Sequence, residues 1–179
     1  MCGKEDDEMN YEKAAAYWTE KDKTSVTVEK DVLKQKIDAF IGKHNTCALA
    51  VAAGDFVRCT PIEYNYLNGS FYLFSEGGLK FKALKHNKHV CLSIFEEYKS
   101  FGELKGLQVT GLAELTEPWS EEYLSLLAYK NIPETAMRKL PEPMNLIKIV
   151  PTVMDFLDSD LKKEGYGIRQ QLILEDIKD

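Results

Sequence analysis

Between Gly77 and Phe95 the sequence carries four lysines, two histidines and no carboxylate, in a chain whose formal net charge is −6. Two adjacent glycines, Gly77 and Gly78, stand just before a predicted helical turn, "LKFKAL". Paired glycines let backbone N–H groups converge, and a helix start adds partial positive charge, so the segment suits a bound anion. Lys80 and Lys82 bring full charges to the same place, and Ser75, at the end of the preceding strand, offers a hydroxyl. The spacing is neither G-x-x-x-x-G-K-[ST] nor G-x-G-x-x-G, so it supports neither a nucleoside triphosphate loop nor a Rossmann site. A lysine-rich helix face that merely meets solvent is the alternative reading.

A second cation sits in "FVRCTPIEY". Strand alternation puts Phe56, Arg58, Thr60, Ile62 and Tyr64 on one side, so Arg58 is expected among apolar neighbours. Its guanidinium can fork onto a phosphate or pair with a carboxylate inside the fold. Pro61 lacks the strand N–H, which predicts an edge or an interruption where a planar ligand reaches the backbone.

Other chemistries find less support. His86 and His89, followed by Cys91, leave His44 as the sole further histidine, too few for a zinc or iron site and better read as solvated side chains. Cys2, Cys47, Cys59 and Cys91 contain no C-x-x-C pair and read as reduced, mostly buried thiols. There is no haem-attachment C-x-x-C-H, no G-x-S-x-G elbow and no carboxylate pair distinct from surface charge. Trp119 and Tyr123 read as core or dimer-contact residues.

The bulk properties narrow the partners. The chain has 179 residues and 44% hydrophobic content, which suits one globular domain with a core of its own. Its 29 acidic against 23 basic residues argue against non-specific nucleic-acid binding and against an anionic membrane surface. The longest apolar runs, such as "CALAVAA", are too short to span a bilayer, and "MCGKEDDEMN" is acidic where a signal peptide is basic then apolar. A cytoplasmic location is the expectation.

The elements that must position these residues follow from periodicity. After an acidic tail with Glu5, Asp6, Asp7 and Glu8, "NYEKAAAYWTEKD" predicts a short helix capped by Asn10. "VEKDVLKQKIDAFIGKH" predicts a second, with Val32, Leu33, Ile37, Phe40 and Ile41 as its apolar stripe and Gly42 near its stop. The period then changes. "TCALAVA", "FVRCTPIEYNYL" and "SFYLFS" read as a strand meander, with a hairpin at Asn68 and Gly69. "HVCLSIFEEY", "GLQVTGLAELTE" with a bulge or bend at Gly111, and "MNLIKIVPTVMDFLD" add three strands. A helix begun by Pro118 and capped by Ser120 lies between the last two. The sum is a mainly β, α+β chain of six antiparallel strands in a closed or partly open barrel.

In order, "VRCTPIEY", a hairpin, "FYLFSEGGLKFKAL", "VCLSIF" and "LQVTGLAEL" resemble the pyridoxamine 5'-phosphate oxidase-related flavoproteins, over about residues 26 to 158. The resemblance implies a six-stranded antiparallel split β-barrel of the FMN-binding type, with residues 1–25 a tail and short helix and 159–179 a polar tail. It also implies a homodimer with FMN at the subunit interface. The strand bearing Arg58, Cys59, Thr60 and Pro61 would run along the isoalloxazine edge, Arg58 near the ribityl phosphate. Phe74 and Ser75 would contact ring and phosphate, Gly77, Lys80 and Lys82 would surround the phosphate, and Gln108 falls near a flavin-contacting glutamine. The implied activity is hydride or electron transfer at the flavin on a small organic substrate; the alternative is a non-catalytic flavin or haem binder of the same fold. The oxidase that makes pyridoxal phosphate carries an arginine and histidine arm near its C-terminus. Here the end has only Arg169 and no histidine, which argues against that particular reaction.

Overall fold

A computed structural model describes residues 10–174. The acidic run at Glu5 to Glu8 and Cys2 lie outside the described residues. Helix α1, Tyr11–Asp22, is capped as expected: the Asn10 side-chain oxygen accepts from the Lys13 N–H at 2.8 Å. None of its residues is buried. Helix α2, Lys30–Ile41, buries Leu33, Ile37, Phe40 and Ile41. Val32 departs from the expected stripe and is 42% exposed; it falls in the first turn, where its N–H is taken by the Glu29 carboxylate.

Among the described residues eight strands follow rather than six. They are β1 Thr46–Ala53, β2 Phe56–Glu63, β3 Asn65–Leu67, β4 Ser70–Ser75, β5 His89–Phe95, β6 Lys105–Thr116, β7 Asn145–Asp158 and β8 Arg169–Ile173. The three remaining α-helices of the described residues are α3 Lys80–Leu84, α4 Glu121–Tyr129 and α5 Glu134–Met137, and a 3-10 helix covers Ser159–Glu164. All strand pairs are antiparallel, in the order β2-β1-β5-β6-β7-β4-β3, with β8 on β7.

The first extra strand comes from a change of partner. "FVRCTPIEYNYL" pairs with β1 up to Glu63 and with β4 from Asn65, so it reaches both ends of the sheet path. Tyr64 is the hinge: it is buried, its N–H donates to the Asn45 carbonyl and its hydroxyl to the Ile41 carbonyl, both at 2.8 Å. The expected meander is therefore two hairpins at opposite ends of one sheet, which curls until its ends meet through a single residue. Such closure shortens the exposed edges.

The second extra strand lies in the segment expected as a polar tail. β7 is long enough to hold two partners end to end on one side, β4 along Asn145–Ile149 and β8 along Val153–Leu157. Between them the β6·β7 register slips, with Thr110 opposite Val153 and Gly111 opposite Pro151. The expected irregularity at Gly111 is this bulge. β8 also anchors the entry to α2: buried Gln170 accepts from the Val28 N–H at 2.8 Å and donates to the Val26 and Gly167 carbonyls at 3.2 and 2.7 Å.

The main core fills the curl with Leu49, Phe71, Leu73, Leu92, Ile94, Leu107, Val109, Ile147, Ile149 and Phe156, closed by the buried face of α2. A second core lies on the opposite side of β4, where Tyr72 and Leu146 meet Tyr123, Leu126 and Leu127 of α4. The Ser120 hydroxyl accepts from the Tyr123 N–H at 3.3 Å, so α4 begins after that cap, with Pro118 in the preceding turn. Burying β4 on both faces leaves only its ends free for a ligand.

Candidate functional site: an anion loop and an outer sheet face

β4 ends at Ser75, opposite Asn145, the first residue of β7. The chain then leaves the sheet through Gly77 and Gly78, whose φ values of 146° and 109° are open to glycine and strained for other residues. The Ser75 hydroxyl, buried here, accepts from the Gly77 N–H at 3.2 Å and donates to the Gly77 carbonyl at 3.1 Å. Helix α3 packs its Ala83 and Leu84 inward against β1 and β2, which fixes where its first residue points.

That first residue is Lys80, and it is only 6% exposed. Its ammonium donates to the Gly77 carbonyl at 2.6 Å and lies 5.3 Å from the Phe81 ring centre. Among the described residues no carboxylate pairs with it. Burial without a counter-charge lowers the Lys80 pKa, because the charged form has lost water. A Cβ on Gly78 would stand 3.7 Å from this ammonium, an ordinary contact, so the positive φ rather than crowding is what calls for glycine there. The Phe81 and Lys82 N–H groups are engaged by the Gly78 and Leu79 carbonyls, while those of Gly78 and Leu79 have no protein acceptor among the described residues. One desolvated cation, two free amides and a buried hydroxyl therefore share a short loop. Lys82 is exposed on α3 and contributes only charge at the surface.

Arg58 and Thr60 lie on β2, the edge strand beside α3, as Pro61 foretells. The alternation is as expected, with Phe56 and Ile62 against the core and Tyr64 buried. Arg58, however, is exposed rather than enclosed by apolar neighbours, because an edge strand has a covered neighbour on one side only. It pairs with no carboxylate among the described residues. Cys59 and Pro61 face outward and are exposed, so the cysteines are not uniformly buried: Cys47 is buried, Cys91 half-buried. Burial and the nearby Cys59 push the Cys47 thiol up to about 12.

Two expected contacts do not have their side chains at the loop. Phe74 points to the opposite face of β4 from Ser75 and packs edge-on against Tyr123, ring centres 5.4 Å apart, in the second core. Gln108 lies on the outer face of the sheet, in a row running Pro61, Ala48, Ser93, Gln108, Asp155, Gln171 across six strands. Three strand spacings, about 14 Å, separate it from Pro61. It belongs to a cleft of about 710 Å³ between α1 and the sheet, lined also by Trp18, Phe95, Asp155, Arg169 and Gln171. Arg169 lies over the Trp18 ring at 4.3 Å, and Gln171 donates to Asp155 at 2.8 Å. The cleft carries no motif of its own in the sequence; the outward polar positions of β5, β6 and β7 are its one local signal.

A second cleft, of about 680 Å³, opens under α4 beside Tyr72, Glu114, Glu117, Glu121 and Glu122. Tyr72 donates to Glu122 at 2.8 Å, and the Lys148 ammonium, 2.9 Å away, holds that carboxyl below its ordinary range. Its carboxylate wall repels a phosphate. His44 is engaged with the Phe40 carbonyl at 2.8 Å, and His86 and His89 are exposed. No helix of the described residues is long and apolar enough to cross a membrane.

Comparison with known proteins matches this architecture. No curated protein matches the sequence. A Listeria innocua protein named for pyridoxamine 5'-phosphate oxidase is similar in structure, with TM-score 0.55 and 28% identity over 70% of this chain and 98% of that one. A haem storage protein from Vibrio cholerae has TM-score 0.56 at 18% identity, over 66% of this chain and 89% of its own. An FAD-binding protein from Mesorhizobium loti has TM-score 0.53 at 18% identity, over 68% and 89%. The last two share the fold. The family model for pyridoxamine 5'-phosphate oxidase matches residues 33–157, well over half of the chain and all of β1 to β6. The chain belongs to the pyridoxamine 5'-phosphate oxidase family.

Proposed function

We propose that the protein binds FMN, with the phosphate at the loop from Ser75 to Lys80, and uses it to transfer hydride or electrons to a small organic molecule. The observation that carries this reading is the buried Lys80 ammonium, which has a carbonyl for company and no anion. A phosphate oxygen there regains for it the electrostatic stabilisation that burial removed. The Gly78 and Leu79 amides add neutral donors, Ser75 holds the turn, and Arg58 supplies a second cation from β2. Lys82 adds field at longer range. The backbone of Cys59, Thr60 and Pro61, on an edge without a second strand partner, is the ring-side contact.

Bound flavin supplies the redox chemistry; this chain's residues hold it, orient it and exclude water. Gln108 is too far across the sheet to serve the same ligand end in one subunit, so in a homodimer it would serve the partner's flavin. The outer face suits such pairing: Val57 is 69% exposed and Cys59, Pro61 and Phe95 are exposed with it. The cleft beneath α1, next to Gln108, is then the place for the organic substrate.

The second reading, a flavin or haem binder without turnover, is favoured by the fold shared with the haem storage and FAD-binding proteins. The visible spectrum of the protein as purified from cells separates them. Flavin bands are expected, with a dimer in sedimentation; a Soret band, or a flavin-loaded monomer, contradicts the reading. Stopped-flow reduction by NADH or NADPH then divides enzyme from carrier.

A further inference from the structure

We propose that Asn145 is a positioning residue for the phosphate loop, acting through Ser75; the proposal rests on the reading of Lys80 as the phosphate ligand. Asn145 makes the last pair of the β4·β7 ladder, opposite Ser75. Backbone pairing alone places no demand on its side chain, yet its amide reaches across and donates to the Ser75 carbonyl at 3.2 Å. Ser75 engages both polar groups of Gly77 through its hydroxyl, at 3.2 and 3.1 Å. The Gly77 carbonyl in turn receives the Lys80 ammonium at 2.6 Å. Three contacts thus run in series from β7 to the cation.

The series matters because of where the ladder stops. Beyond Ser75 the backbone passes through two glycines at positive φ, the residues with the most conformational freedom to lose. α3 fixes the far end of the loop by burying Ala83 and Leu84. The near end has the Asn145 amide as its side-chain clamp. A loop held at both ends presents its amides and ammonium before the ligand arrives, and the ordering cost is not charged against phosphate affinity.

The test compares FMN with riboflavin, which share the ring and differ in the phosphate. In full-length protein, fluorescence titration of Asn145→Ala is expected to lower the FMN to riboflavin affinity ratio about five-fold, the effect of one neutral hydrogen bond. Asn145→Ser, a smaller change that keeps a donor, gives a fallback if the alanine variant loses its fold, and its ratio should lie between the two. An unchanged ratio in a folded variant, or equal weakening of both ligands, overturns the proposal. Lys80→Ala is the control for the underlying reading: if it leaves the ratio at the wild-type value, the assignment of Lys80 falls, and Asn145 falls with it. If Lys80→Ala lowers the ratio and Asn145→Ala does not, only the role of Asn145 is refuted.

Discussion

Lys80→Ala is expected to weaken FMN binding about ten- to hundred-fold, the range for losing a hydrogen bond between charged partners. Lys82→Ala should change it less than about three-fold, since an exposed charge is screened and flexible. The two lysines look alike in the sequence; burial separates them. A second substitution at the same position carries another signature. Removing an unpaired buried cation relieves its desolvation, so Lys80→Met, which keeps the apolar stem, should leave the ligand-free protein as stable as wild type or more so. Isothermal titration and thermal melting of both variants check the pair of outcomes. Lost stability with unchanged affinity would make Lys80 a structural residue and remove it from the site.

Gly111→Ala should be the most damaging small substitution in the sheet, costing about 3 kcal/mol of unfolding free energy. An added Cβ would stand 2.5 Å from the Val150 carbonyl oxygen and 3.1 Å from an Ile149 methyl, inside the bulge that separates β4 from β8. The obstacle is backbone, so no rotamer change relieves it. Gly106, on the same strand, is the control: its Cβ would meet the Ile94 carbonyl at 3.5 Å, an ordinary contact, and Gly106→Ala should cost under about 1 kcal/mol. Urea unfolding of both measures the difference. Equal midpoints for the two variants would mean that the bulge tolerates a side chain.

Both expectations depend on features that the sequence discloses unevenly. Strand alternation exposes β1, β5, β6 and β7, and the helical stripe of α2 is correct at four of its five positions, because these patterns are local. Gly111 marks its bulge for the same reason. β8 is hidden because one of its two inward residues, Gln170, is polar and only Leu172 is apolar; three hydrogen bonds satisfy the Gln170 amide, so a buried position looks like a surface one. The division of β2 from β3 is hidden because Tyr64 continues the alternation while the strand changes partner, and alternation carries no information about partners.

The site divides along the same line. The glycine pair, Ser75 and the lysines lie close in sequence, so their joint role as an anion loop is legible. That Lys80 is enclosed and Lys82 is not depends on α3 packing against β1 and β2, two hairpin strands that precede it. Phe74 and Ser75 are chain neighbours, yet β4 is covered on both faces and sends the first to the second core and the second to the loop. Asn145 and the α1 cleft are assembled from segments far apart in the chain, and no spacing rule reaches them.

The most direct test of the central claim, that the Ser75 to Lys80 loop receives a phosphate, is to titrate the wild-type protein with FMN and with riboflavin under one set of conditions. FMN is expected to bind at least about ten-fold more tightly, with an advantage that shrinks in added inorganic phosphate. Equal affinity for the two flavins, insensitive to phosphate, would contradict it.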